Sequence, residues 1–201
     1  MILPAAAAAN AELSEVIVHC TDPKAEAASI TESLSAAGWT TVVPDDFERA
    51  ARHLGDGGFL LTQTVEEPQA LMQLREAEFR KALSRVKRKT SDYFYSATLQ
   101  SADLATVVNV HWKRQGNRLQ CSAATADRTG IEELGAHIAS LTSKGRASDT
   151  GPSLHYVAAT GKDDPLRVWL SAVKDETTAV FSAAPLLATV GLFAEYFPRR
   201  D

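Results

Sequence analysis

Histidine, cysteine, serine, paired aspartates and one run of cations are the residues of this chain with the capacity for chemistry. The five histidines are His19, His53, His111, His137 and His155. No two stand four apart, as a metal-binding pair on one helix face requires, and there is no H-E-x-x-H. His19 adjoins Cys20, but neighbouring residues on a strand point to opposite faces, so packing is the better reading of that pair. No serine stands in G-x-S-x-G, and a serine without a positioned base is not a nucleophile. Gly55-Asp56-Gly57-Gly58 lacks the Lys and Ser/Thr of a phosphate loop and reads as a turn that ends a helix. The doublets Asp45-Asp46 and Asp163-Asp164 lack the spacing of a calcium loop and read as caps or turns. The sequence therefore predicts no catalytic residue, no metal ligand and no cofactor site.

The sharpest charge feature is Arg75, Arg80, Lys81, Arg85, Lys87, Arg88 and Lys89, gathered on one predicted helix of a chain whose net charge is −4. Arg75, Arg80, Lys81, Arg85 and Arg88 form the candidate surface for an anionic partner. The plainer reading is a solvated helix face, with cations near the negative end of the helix dipole. Aromatic residues interleaved with these cations, which nucleic-acid stacking needs, are nearly absent. Together with the acidic balance, this argues against a nucleic-acid binder.

These residues must be positioned by elements whose pattern is legible. Glu15 to Cys20 reads as a strand through Val16, Ile17 and Val18, although Leu13, Ile17 and Cys20 also share helical spacing. Asp22 and Pro23 open a helix that carries Ala27, Ile30 and Leu34 and closes at Gly38. Trp39 to Val43 is a strand, a short helix follows to Leu54, and Phe59 to Val65 is a strand. The longest helix runs from Pro68 to about Lys89. Tyr93 to Gln100, Ala105 to Lys113 and Arg118 to Thr125 form an antiparallel meander. A helix spans Ile131 to about Leu141, and Thr142 to Ser153 is the clearest polar loop. Leu154 to Thr160 and Leu166 to Val173 are strands around a turn at 161–165, with a further candidate strand at Thr177 to Ser182. Leu186 to Phe197 reads as a terminal helix. Strands and helices without strict βαβ alternation predict an α+β fold, a mainly antiparallel sheet with helices packed on one face as a two-layer sandwich. Residues 12–201 are read as one such domain, with the 142–153 loop the candidate boundary between lobes.

The N-terminal MILPAAAAANA ends in an A-x-A pattern before Glu12, so residues 1–11 read as a signal-peptide remnant or an alanine-rich tail; the positive n-region of a signal is missing. Cys20 and Cys121 fit no metal spacing. If the chain is exported, they suit a disulfide; two buried free thiols are the alternative. No apolar run reaches the length of a transmembrane helix.

The alanine-rich start, Cys20, a helix ending Ala36-Ala37-Gly38-Trp39 and Cys121 in a later strand resemble small exported bacterial proteins of uncharacterised function. That resemblance implies a periplasmic or secreted location, against a cytoplasmic alternative, and the Cys20–Cys121 bridge; it implies no activity. The function expected from the sequence is a binding or interaction domain without a catalytic motif, its partner an unknown protein or small anionic ligand. The alternative is a hydrolase whose site assembles only in the fold, around His111 or His155 and a carboxylate.

Overall fold

Strand Thr106–Lys113 is buried on both sides, and that decides the architecture: Val108 and Val110 belong to one buried cluster and Val107 to another. A strand buried on both sides needs cover on both. The computed structural model describes residues 11–22, 24–62, 68–115, 118–142, 145–150, 153–159, 166–173 and 185–196. Helices α1 (Ala11–Cys20), α2 (Ala27–Ala36), α3 (Phe47–Thr62) and α4 (Pro68–Val86) come first, interrupted by a short strand β1 (Thr40–Thr41) and a 3-10 turn at Pro44–Asp46. Strands β2 (Phe94–Gln100), β3 (Thr106–Lys113) and β4 (Arg118–Thr125) follow. Helix α5 (Ile131–Ser140) leads into β5 (Arg146–Thr150), β6 (Ser153–Ala159), β7 (Leu166–Val173) and β8 (Val190–Tyr196).

The eight strands among the described residues form one antiparallel sheet in the order β1-β2-β3-β4-β8-β7-β6-β5. The fold is therefore α+β with an antiparallel sheet, as the pattern predicts. The helices, however, lie on both faces and not on one. Residues from α1, α2 and α5 join Val108, Val110, Cys121, Leu170 and Leu192 in the larger cluster. The residues of α3 and α4 pack against Val107, Ala124 and Val173 on the opposite face.

Five local readings are corrected. Glu15 to Cys20 is helical: Leu13, Val16, Ile17 and Cys20 are buried on one side, and tertiary packing of that stripe outweighs the β-preference of Val-Ile-Val. Gly55 to Gly58 is not a turn, and Phe59 to Thr62 is not a strand, because α3 runs through both. A Cβ on Gly55 would sit 2.7 Å from the Cα of Phe79 in α4. One on Gly57 would sit 2.7 Å from the Cβ of Ala124. The glycines let α3 approach α4 and the sheet where no side chain fits. Arg146–Thr150, in the expected polar loop, pairs with β6 as an edge strand. The expected terminal helix is β8, whose Val190, Leu192, Ala194 and Tyr196 face the larger cluster. Smaller shifts occur at α2. Its N-cap is Glu26, with Ser29 reciprocating, whereas Asp22 accepts the Lys24 amide at 2.8 Å. Gly38 does follow the helix end, at φ +100°. The turn at 161–165, the doublet Asp163-Asp164, the strand at Thr177 to Ser182 and the A-x-A segment before Ala11 lie outside the described residues.

Cys20 of α1 and Cys121 of β4 are joined by a disulfide, with Cα atoms 6.1 Å apart. The bond ties the first helix to the centre of the sheet.

Candidate functional site

The cations of α4 divide into two groups with different surroundings. In the first, charge is already spent. Arg75 is buried and donates from Nε to Asp56 Oδ1 at 2.6 Å and from Nη2 to the Pro185 carbonyl at 3.0 Å. Asp56 also accepts the Leu187 amide at 2.7 Å, so the pair clamps α3, α4 and the approach to β8 together. Lys81 Nζ lies 2.6 Å from Glu78 Oε1. Arg80 Nε lies 3.5 Å from Glu76 Oε1, and Arg52 reaches the other oxygen of Glu76 at 3.1 Å. A hydrogen bond from Arg52, aided by the charges of Arg52 and Arg80, holds the Glu76 carboxyl below the usual carboxylate range. Arg75, Arg80 and Lys81 thus answer the protein's own carboxylates, and the anion-facing surface expected from the sequence contracts to Arg85 and Arg88.

The second group is assembled by the fold. Arg85 lies in the last turn of α4 and Arg88 two residues past its end, and the pairing of β2 with β3 places Phe94 opposite Lys113. Arg88, Tyr93, Phe94, Lys113, Arg114 and Gln115 line a recess of about 540 Å³. The Arg88 guanidinium stands 5.5 Å above the Phe94 ring, and Phe94 in turn lies 6.2 Å from the His111 ring. Tyr93 is 74% exposed. Among the described residues, no carboxylate is within 4.0 Å of the charged atoms of Arg85, Arg88, Lys113 or Arg114. Asp92 is adjacent in sequence but forms no ion pair with them.

The buried neighbours register this local positive field. His111 is 6% exposed and its Nδ1 has no hydrogen-bond partner among the described residues. Burial, followed by the charges of Arg88, Lys113 and Arg85, pushes its pKa down to about 4, so the ring is neutral near pH 7. Arg85 is itself held below the usual arginine range by burial; the attraction of Glu78 opposes this, and the charge of Arg88 adds a smaller downward push. Arg88, Lys113 and Arg114, crowded together with no described carboxylate in ion-pair contact, have electrostatic free energy to gain from an arriving anion. Sequence reasoning found Arg85 and Arg88 but missed Lys113 and Arg114. The signal lay in the register of two strands, which no local pattern carries.

The other chemically capable residues are placed differently. His155 Nδ1 shares a hydrogen bond of 2.6 Å with Ser171 Oγ across β6 and β7. Ser171 is 2% exposed and stands opposite Gly191, against which Gly57 of α3 packs. Among the described residues no carboxylate hydrogen-bonds to His155, whose pKa burial lowers and Asp149 raises by a smaller amount. His53 is buried in α3 and likewise held below the ordinary histidine value, chiefly by burial. His137 is exposed on α5, and Cys20 beside His19 is consumed by the disulfide. Glu195, 2% exposed on β8, receives Arg118 and Gln120 on Oε1, with Arg167 3.6 Å from Oε2. No group of three or more His, Cys, Asp or Glu among the described residues is arranged to hold a metal. No helix among them is long and apolar enough to cross a membrane.

No family model, curated protein or solved structure matches this chain.

Proposed function

We propose that this chain is a non-catalytic binding domain that takes an anionic group in the recess between the end of α4 and the end of β3. The observation that carries the reading is the cluster of Arg88, Lys113 and Arg114 lining the recess, none of them within 4.0 Å of a described carboxylate, in a chain of net charge −4. Its volume, about 540 Å³, falls within the roughly 300–1,000 Å³ of small-molecule sites. Inorganic phosphate titrated by calorimetry is the first probe. Binding weakens with rising salt, because exposed charges are screened over about 8 Å at physiological ionic strength. The double substitution Arg88→Gln/Lys113→Gln abolishes it, whereas Arg80→Gln/Lys81→Gln leaves it intact. Equal losses from both pairs, or none from either, would overturn the assignment.

Export to an oxidising compartment is part of the same proposal and is supported by the Cys20–Cys121 bond. Thiol alkylation followed by mass spectrometry, on protein taken directly from its cell of origin, tests it. A linked pair supports export; two alkylated cysteines contradict it.

One observation favours the hydrolase alternative, the 2.6 Å contact of His155 with Ser171. A fluorophosphonate that labels the native chain, but not the Ser171→Ala variant, would replace the binding reading. Absence of labelling agrees with the burial of that serine.

A further inference from the structure

A second recess opens on the opposite face of the sheet from the cationic one. Strand pairing sets Tyr95 opposite Trp112 and Trp112 opposite Leu119, a row across β2, β3 and β4 on the face of the larger cluster. Their chain neighbours Phe94 and Lys113 belong to the other face. The segment 90–94 keeps the two recesses apart, and it is fastened: the Thr90 hydroxyl accepts the Ser96 amide at 3.2 Å and donates to the Ser96 carbonyl at 3.2 Å. Tyr95 and Trp112 are only half-buried. The chain that enters α2 faces them with the methyl groups of Ala25, Ala27 and Ala28, too small to cover the row. The space left is about 560 Å³, within the roughly 300–1,000 Å³ of small-molecule sites.

Four polar residues, Lys24, Glu26, Thr90 and Ser91, also line this recess, and they leave it without a net sign. Lys24 and Glu26 stand two positions apart with opposite charges. Glu26 is engaged with Ser29 at the start of α2, and the Thr90 hydroxyl is taken up by Ser96. Ser91 Oγ accepts the Tyr93 amide at 3.4 Å and keeps its own proton to donate. We infer that this recess is a separate binding site for a small uncharged aromatic compound, its ring laid on Tyr95 and Trp112. The inference is independent of the anion-binding reading above. Aromatic walls favour a planar ring, because stacked and edge-to-face contacts add to simple burial. A ligand with a net charge would lose hydration against the apolar walls, and the balanced pair at the rim offers either sign little in return.

The test titrates the full chain by calorimetry with 2-naphthol, 2-naphthoate and 2-naphthylmethylammonium, one ring system in uncharged, anionic and cationic form. The expected result is naphthol bound about tenfold or more tightly than either ion. Ala28→Trp places a bulky side chain from an exposed helical position into the recess and weakens naphthol by about tenfold or more. If it alters the thermal midpoint, Ala28→Met takes its place. Lys24→Gln leaves naphthol binding within about twofold, and so does Arg88→Gln/Lys113→Gln in the other recess. No naphthol binding, or naphthol binding indifferent to both Ala28 variants, would overturn the site. Either ion bound more tightly than naphthol, and displaced by Ala28→Trp, would overturn the uncharged class. Naphthol lost with Arg88→Gln/Lys113→Gln but not with Ala28→Trp would move aromatic binding to the cationic recess and overturn this inference alone. Failure of phosphate to bind there would overturn only the anion reading.

Discussion

Against one face of the sheet lie α1, α2 and α5, held by large aliphatic side chains and a disulfide; against the other lie α3 and α4, held by glycines and a buried ion pair. The first interface contains Leu13, Ile30, Leu34, Ile138, Leu170 and Leu192, all essentially inaccessible. The second brings backbone onto backbone: a Cβ on Gly191 of β8 would stand 2.2 Å from the carbonyl oxygen of Gly57. Side-chain packing can adjust through rotamers, whereas contacts between main chains have no such slack. Close approach also brings polar groups inside, and these must be paired. Asp56 with Arg75 is the result. The same face then carries the cations that remain unpaired, at the end of α4 that the ion pairs do not reach.

The sharpest way to break this contrast is at the ion pair. Asp56→Ala leaves the buried Arg75 guanidinium without its carboxylate and should cost about 3–5 kcal/mol. Urea unfolding of the variant measures the loss; a change under about 1 kcal/mol would make the pair incidental to holding α4. On the other face, removing the bond with Cys20→Ser and Cys121→Ser should cost about 2–5 kcal/mol, since it closes a long loop in the unfolded chain. Apolar packing keeps α1 in place in that variant, so its helical circular dichroism below the melting transition stays native. Loss of that signal would show the covalent link, and not the buried stripe, to be what holds α1.

Acid separates the faces more gently. Folded His111 has a pKa of about 4 against an ordinary value of 6.5, so in that interval the unfolded chain binds a proton that the folded one refuses. Stability therefore falls as pH drops from 6.5 towards 4, by about 3 kcal/mol from this residue, and levels off below. His53 and His155, also lowered, push the same way. Urea midpoints at several pH values should show a shallower acid loss for His111→Gln, and an unchanged slope would remove His111 as the source. A smaller effect is expected of Gly191→Ala, about 1–3 kcal/mol from one methyl group that meets main chain. Ala194→Gly, on the same strand but the opposite face, should remain within about 1 kcal/mol. If Gly191→Ala is neutral, the tight approach of α3 is more compliant than its geometry indicates.

How much of this was legible follows the same division. The meander Phe94 to Thr125, strand Leu166–Val173 and helices α2, α4 and α5 announce themselves through periodicity. The misread segments are those whose local pattern serves a distant contact. Gly55 to Gly58 looks like punctuation because glycine usually is, and only the position of Phe79 and Ala124 explains why a segment with three glycines continues a helix. Leu186 to Phe197 is apolar on both alternating faces, Leu192 inward on one and Phe193 on the other, so its strand period is masked. Val16-Ile17-Val18 carries both periods, and burial of Leu13 and Cys20 selects the helical one. Of the cationic recess, the α4 half was visible as a charge run. The half from Lys113 and Arg114 depends on strand register, and the pairing of Arg75, Arg80 and Lys81 depends on where α3 and their own carboxylates fall.

The strand order has a consequence for synthesis. The strand β8 lies in the middle of the sheet, between β4 and β7, yet among the described strands it leaves the ribosome after the other seven. Until residues 190–196 emerge, two half-sheets, β1 to β4 and β5 to β7, each carry an open edge, and such edges invite pairing with other chains. The nascent chain is therefore at its most adhesive in the interval before that strand emerges. The Cys20–Cys121 bond spans only elements made early, so in an oxidising environment it can lock α1 onto β4 and shorten the list of wrong partners before the closing strand arrives.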